Sequence, residues 1–156
     1  MPETEVTAGE VRATHLAATP LLDHGDARVR SLTATLTAEE PQALLRAAHA
    51  SIRERVRPVY TVDELQPASR TIEKGRGSCS QRIGCLEAAA RARGIGTRVR
   101  ELWIDGRFWH PRFGRWLWPF LPRRILLAWP QFHVGGAWLV RRRGIKYGRL
   151  CLLGDF

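Results

Sequence analysis

The chain is poor in cysteine, lysine and methionine, and the first two scarcities remove whole classes of protein. Its three cysteines, Cys79, Cys85 and Cys151, are odd in number and show no CxxC spacing. A closed zinc site needs four ligands, usually from paired cysteines and histidines, so no structural metal or other cofactor is expected. The same count excludes a disulfide-stapled secreted domain. No signal-peptide pattern opens the sequence, which makes the reduced cytoplasm the expected compartment. In the most aromatic stretch, Arg107 to Arg124, prolines and arginines break every apolar run. A spanning helix needs about 20 mainly apolar residues, so no transmembrane span is expected.

Lys74 and Lys146 are the only lysines, so the net charge of +10 and the pI of about 11.1 rest almost wholly on arginine. Together with many alanines, that bias fits GC-rich coding DNA as well as selection for a polyanion. No helix-turn-helix, zinc-finger or RNP-type aromatic pattern accompanies the charge. Nucleic acid is therefore an unlikely partner, ranked a distant third; charge alone supports only non-specific, salt-sensitive association.

What the chain does have is a core. A hydrophobic fraction of 44% and six tryptophans in 156 residues suit one folded domain. Val29, Leu32 and Leu36 recur at helical spacing and predict a short helix from Asp26 to Leu36. Thr37 followed by Glu40 reads as a capping box for a longer helix, Ala38 to Val56, with Leu44, Leu45, Ala48, Ile52 and Val56 as its buried stripe. Val59 to Leu65 reads as an extended or irregular link. Thr97 to Ile104 alternates as a strand, and Asp105-Gly106 predicts a hairpin into Arg107–Trp109. A further strand, Ile125 to Val134, is interrupted by Pro130 and returns through Gly135-Gly136 into Ala137–Val140. Helices first, then a mostly antiparallel sheet, make an α+β domain.

The richest segment is GRGSCSQRIGCLEAAARARGIGTRVREL, Gly75 to Leu102. Ser78 can cap a helix that runs to Arg93 and stops at Gly94, with Ile83, Leu86, Ala89 and Ala90 facing inward. Cys79 then lies in the first turn, where unpaired amides and the positive helix end favour an anion. A thiol there loses its proton more readily, Arg76 adds a cation nearby, and the thiolate is the nucleophilic form. The ordinary alternative is a small cysteine buried beside a glycine turn.

The Gly-x-Cys helix followed by RARGIGTRVREL resembles the transglutaminase-like core, within the papain-like cysteine fold. The lead-in HGDARVRSLTATLTAEEPQALLRAAHASIRERVRPVY and the later AWPQFHVGGAWL are similar to that family as well. The resemblance covers roughly His24 to Val140 and implies that Cys79 is the nucleophile. Residues 1–22, of mixed polarity and without a strong period, read as a loose N-terminal arm; the resemblance makes 23–140 a transglutaminase-like domain, and 141–156 reads as a diverged or truncated basic tail. The family also carries a histidine before its Ala-Trp pair and an aspartate on the next strand. Those positions fall on Leu127 and near Arg142, so neither partner stands at its expected place.

His110 and His133 are the candidates for a substitute base; the ordinary reading of each is a surface or hydrogen-bonded histidine. His15, His24 and His49 are weaker candidates, and Asp105 reads as a turn residue. Gln81 reads as solvated helix surface, with substrate positioning as the alternative. Arg107 to Arg124 reads as a hydrophobic loop covering the sheet, with a groove edge or a membrane-surface loop as alternatives. Two functions stand. One is a cysteine-dependent hydrolase or acyltransferase acting on a peptide or protein substrate through a thioester. The other is a non-catalytic module that binds a peptide or protein.

Overall fold

Asp26 accepts a hydrogen bond from the Arg28 amide at 2.8 Å and so starts helix α1, Ala27–Ala34. The computed structural model describes residues 4–61, 63–107, 110 and 114–141. Helix α2 is Pro41–Arg55, and here the expected Thr37–Glu40 capping box is corrected. Glu40 is itself the cap, accepting from the amides of Gln42 (3.0 Å) and Ala43 (2.6 Å). The cause is Pro41, which disfavours helical geometry in the residue before it and suits the first helical position. Leu44, Leu45, Ala48, Ile52 and Val56 are all buried, as their spacing predicts. Helix α3, Ala68–Lys74, has no counterpart in the sequence reading; its roughly two turns end at Gly75, whose φ of 59° is left-handed.

Helix α4, Cys79–Ala92, is the centre of the domain, with α1, α2 and α3 all packed on it. Ile95, Phe132 and Val134 bring the sheet onto the same core, together with the partly buried Leu139. Burying such side chains contributes roughly 1.5–3 kcal/mol each. Ile83, expected to face inward, is only half-buried.

The main sheet is antiparallel throughout, in the order β1 (Thr4–Ala8), β6 (Ala137–Arg141), β5 (Arg124–Val134), β4 (Thr97–Asp105). A second, two-residue parallel ladder joins β2 (Arg57–Pro58) to β3 (Arg76–Gly77). The fold is thus α+β, with helices on a mostly antiparallel sheet.

Three expectations change. The lead-in expected to be loose contributes β1, paired to β6 from Thr4–Arg141 to Ala8–Ala137. Its partner lies at the other end of the sequence, so no local pattern announces it. Asp105-Gly106 does not fold back into Arg107: the Asp105 carboxylate accepts from the Arg107 amide at 2.8 Å, and β4 pairs instead with β5, Asp105 opposite Arg124. Phe108 and Trp109, the rest of the expected return strand, lie outside the described residues. Strand β5 is not interrupted at Pro130, which sits opposite Val99 in an unbroken ladder. The β5–β6 ladder ends at Phe132–Leu139, so Pro130 is effectively on an edge, where its missing N–H is tolerated. The Gly135-Gly136 turn is as expected, with φ values of 61° and 81°.

Glu87 ties α4 to β4. It is 5% exposed and accepts from the Thr97 hydroxyl at 3.1 Å, and that hydroxyl in turn accepts from Arg91 Nε at 2.7 Å. Burial raises the Glu87 pKa, while the Thr97 bond and Arg91 oppose the shift. The stability held by the protonated form is full below the unfolded carboxylate value and is lost as pH rises through the folded value. Glu87→Gln should therefore flatten the fall in denaturation midpoint above pH about 4.5, and should stabilise the protein at pH 8 by about 1 kcal/mol. Parallel curves for the two proteins would show that Glu87 does not titrate in this range.

Candidate active site

The two-residue ladder aims the chain at α4. Arg57 N–H donates to Gly75 O (2.9 Å) and Val59 N–H to Gly77 O (3.0 Å). A side chain at Gly77 would meet Thr71 Cγ2 at 2.7 Å and Gln81 Oε1 at 3.1 Å, so only glycine passes this point. Ser78 then caps the helix reciprocally: its hydroxyl accepts from the Gln81 amide (3.2 Å), and Gln81 Oε1 accepts from the Ser78 amide (2.9 Å). The Ser78 hydroxyl donates to Glu64 Oε2 (2.6 Å), and Gln81 Nε2 donates to Asp63 O (2.6 Å). Gln81 is accordingly 6% exposed, not solvated as its helix position implied, because both ends of its amide hold the cap together.

Cys79 is the first residue of α4 and is half-buried. The cation expected beside it, Arg76, is exposed on β3. The sequence reading missed the more telling one. Arg82 lies three residues after Cys79 on the same helix face. It is 2% exposed, and its Nε and Nη1 have no hydrogen-bond partner. Burial lowers the Arg82 pKa; Cys79 and Cys85 act to raise it, and Arg53 to lower it. An uncompensated buried cation is costly, so its anionic neighbour matters. Cys85 is fully buried, 3.6 Å from Ala68 O, and desolvation pushes its thiol up to about 12. Cys79, the first residue of the helix, is the less buried of the two thiols that act on the guanidinium. The one signal of Arg82 in the sequence is its i+3 spacing from a helix-start cysteine, within a helix that otherwise reads as buried.

The structure does not gather Cys79, His110 and His133 into one cluster. His110 is stacked on Trp118 at 4.4 Å and 11°, and its carbonyl accepts from the Trp118 indole at 3.1 Å. His133 lies opposite Trp138 on β6, with ring centroids 5.1 Å apart. Its neighbours Phe132 and Val134 belong to the core shared with the helices, so strand alternation turns His133 to the other face of the sheet. On that face Arg98 covers Trp138 at 4.3 Å and His15 meets it edge-on at 4.8 Å. Burial, then Arg98 and Arg12, lower the His15 pKa. His24 Nε2 bonds Leu16 O at 3.0 Å, and His49 is buried in α2. Leu127 is paired with Leu102, but its side chain lies outside the described set, as do Arg142 and Cys151.

A cavity of about 380 Å³ adjoins the cap, lined by Val59, Tyr60, Asp63, Lys74, Arg76 and Gln81 among others. Its polar rim stands next to the turn that presents Cys79. Among the described residues no group of three or more His, Cys, Asp or Glu could hold a metal ion, and no helix is long and apolar enough to cross a membrane.

Comparison with known families matches residues 26–141 to the transglutaminase-like superfamily. No curated protein and no solved structure matches the chain.

Proposed function

The chain belongs to the transglutaminase-like superfamily, and from that premise we propose that it performs acyl transfer at Cys79 on an amide- or peptide-bearing substrate. The observation that supports this is the pairing of a half-buried helix-start thiol with the buried, unsatisfied guanidinium of Arg82. The Cys79 thiolate attacks the carbonyl carbon, and the first-turn amides of α4 offer positive potential to the oxyanion. The carbon–nitrogen bond then breaks, the amine leaves with a proton from solvent, and a thioester remains. Water converts the thioester to a carboxylic acid and restores the thiol; an amine yields a new amide instead. A peptide or protein segment suits the polar cavity beside the cap. A free thiol nucleophile fits a reducing compartment, the cytoplasm.

One observation favours a second reading, that of a peptide-binding domain without turnover. The contacts described for His110 and His133 are with Trp118 and Trp138, which lends neither of them support as a placed base.

The test is acylation of the full chain by an activated ester, read by intact and peptide mass spectrometry. One acyl group should appear on Cys79, vanish in Cys79→Ala and persist in Cys85→Ala. Labelling spread equally over Cys79 and Cys85, or none at all, would remove the acyl-transfer reading.

A further inference from the structure

The end of the sheet opposite the Gly135-Gly136 turn carries a surface that acyl chemistry leaves unused. From Gly106 to Pro130 the sequence holds five arginines and no aspartate or glutamate. The short 3-10 helix Arg115–Phe120 lies in this stretch, built on Trp118. That ring is stacked on His110, its indole donates to His110 O at 3.1 Å, and Arg115 lies over it at 5.5 Å. With Trp118 so anchored, Trp116 and Phe120 project, 74% and 81% exposed. Part of one face of the sheet is open at this end. Trp103 and Leu126, directly opposite each other on β4 and β5, are 64% and 45% exposed.

Exposed arginines flank these apolar groups: Arg107, Arg115, Arg123 and Arg124. The described acids nearby are Glu101 and Asp105 on β4, and Asp105 is engaged by the Arg107 amide.

We infer that this end of the molecule docks on an anionic lipid surface, with Trp116, Phe120, Trp103 and Leu126 entering the headgroup region and the four arginines meeting its negative charge. Tryptophan and phenylalanine are suited to that boundary, having apolar bodies, and arginine stems lie along it while their heads stay hydrated. Charge of one sign over such a length is matched by a surface of continuous opposite charge. Projecting rings need no shaped pocket in a fluid interface, whereas a protein partner would have to supply one for each. A nucleic acid would satisfy the arginines but leave Leu126 and Phe120 beside phosphates. Since no described helix can span a bilayer, the mode is interfacial.

The experiment is co-sedimentation of the full chain with vesicles of phosphatidylcholine alone and with 30% phosphatidylglycerol. Binding should need the anionic lipid, weaken with salt and blue-shift tryptophan emission. Arg123→Gln/Arg124→Gln should weaken it on the order of thirtyfold, and Trp116→Ser/Phe120→Ser should weaken it at low and high salt alike. Both double variants should keep the wild-type melting temperature and Cys79 alkylation rate, which separates lost docking from lost folding. Absence of binding to anionic vesicles, equal binding to neutral ones, or full binding by both variants would overturn the proposal. So would tighter binding to duplex DNA or to poly-glutamate than to the vesicles.

Discussion

Arg82→Met should make the protein more stable and Cys79 less reactive at the same time. The guanidinium is 2% exposed and two of its nitrogens lack partners, a state that folding alone would select against. Replacing buried ionic groups by apolar side chains of similar volume ranges from neutral to a gain of about 4 kcal/mol, and the half-buried Cys79 can take up a proton when the cation is gone, so the melting temperature should rise. Loss of the cation one helical turn from Cys79 should raise the pH at which iodoacetamide labelling reaches half its maximum. One unit of that shift equals a factor of ten in thiolate at neutral pH, about 1.4 kcal/mol. Arg82→Lys should keep most of the reactivity, because it keeps the charge. A merely structural role would move the stability without moving the pH profile. An unchanged profile in Arg82→Met would leave the helix end as the sole source of any activation. Cys85 should stay unlabelled in every variant, since its thiol is fully buried and pushed up to about 12.

The reasons these groups were or were not visible in the sequence are physical. Helices α1, α2 and α4 could be read because their stripes and caps are local: Asp26, Ser78 and Gly94 each act within a few residues. The start of α2 was misplaced because the steric effect of Pro41 on Glu40 overrode a capping box that was present only as letters. Strand β1 and the β4–β5 pairing escaped because their partners are remote, and register across such distances is set by packing, not by neighbouring residues. The position of Cys79 was legible for the same local reason as its helix. Arg82 was not, because an arginine in sequence reads as surface until burial is known. Gln81 shows the converse error: a polar helix residue taken for solvent turned out to brace the cap.

The choice between an enzyme and a binding domain turns on proton transfer, and the histidines decide it. With His110 held against Trp118 and His133 against Trp138, wild type should form the acyl adduct from an activated ester, whose leaving group needs no proton. Its turnover of a peptide anilide should be about 10²–10⁴-fold slower than that of a site with a placed general acid–base, since an amine leaves poorly without one. His110→Ala and His133→Ala should each acylate within about twofold of wild type, whereas Cys79→Ala should not acylate at all. Collapse of acylation in one histidine variant alone would identify that imidazole as the base. The tryptophan contact described for it would then be a resting arrangement, broken when substrate binds. Anilide turnover in wild type, sensitive to one of those substitutions, would defeat the binding-domain reading outright. Ester acylation without anilide turnover would confine Cys79 to acyl donors with good leaving groups, such as thioesters, whose departure needs no acid.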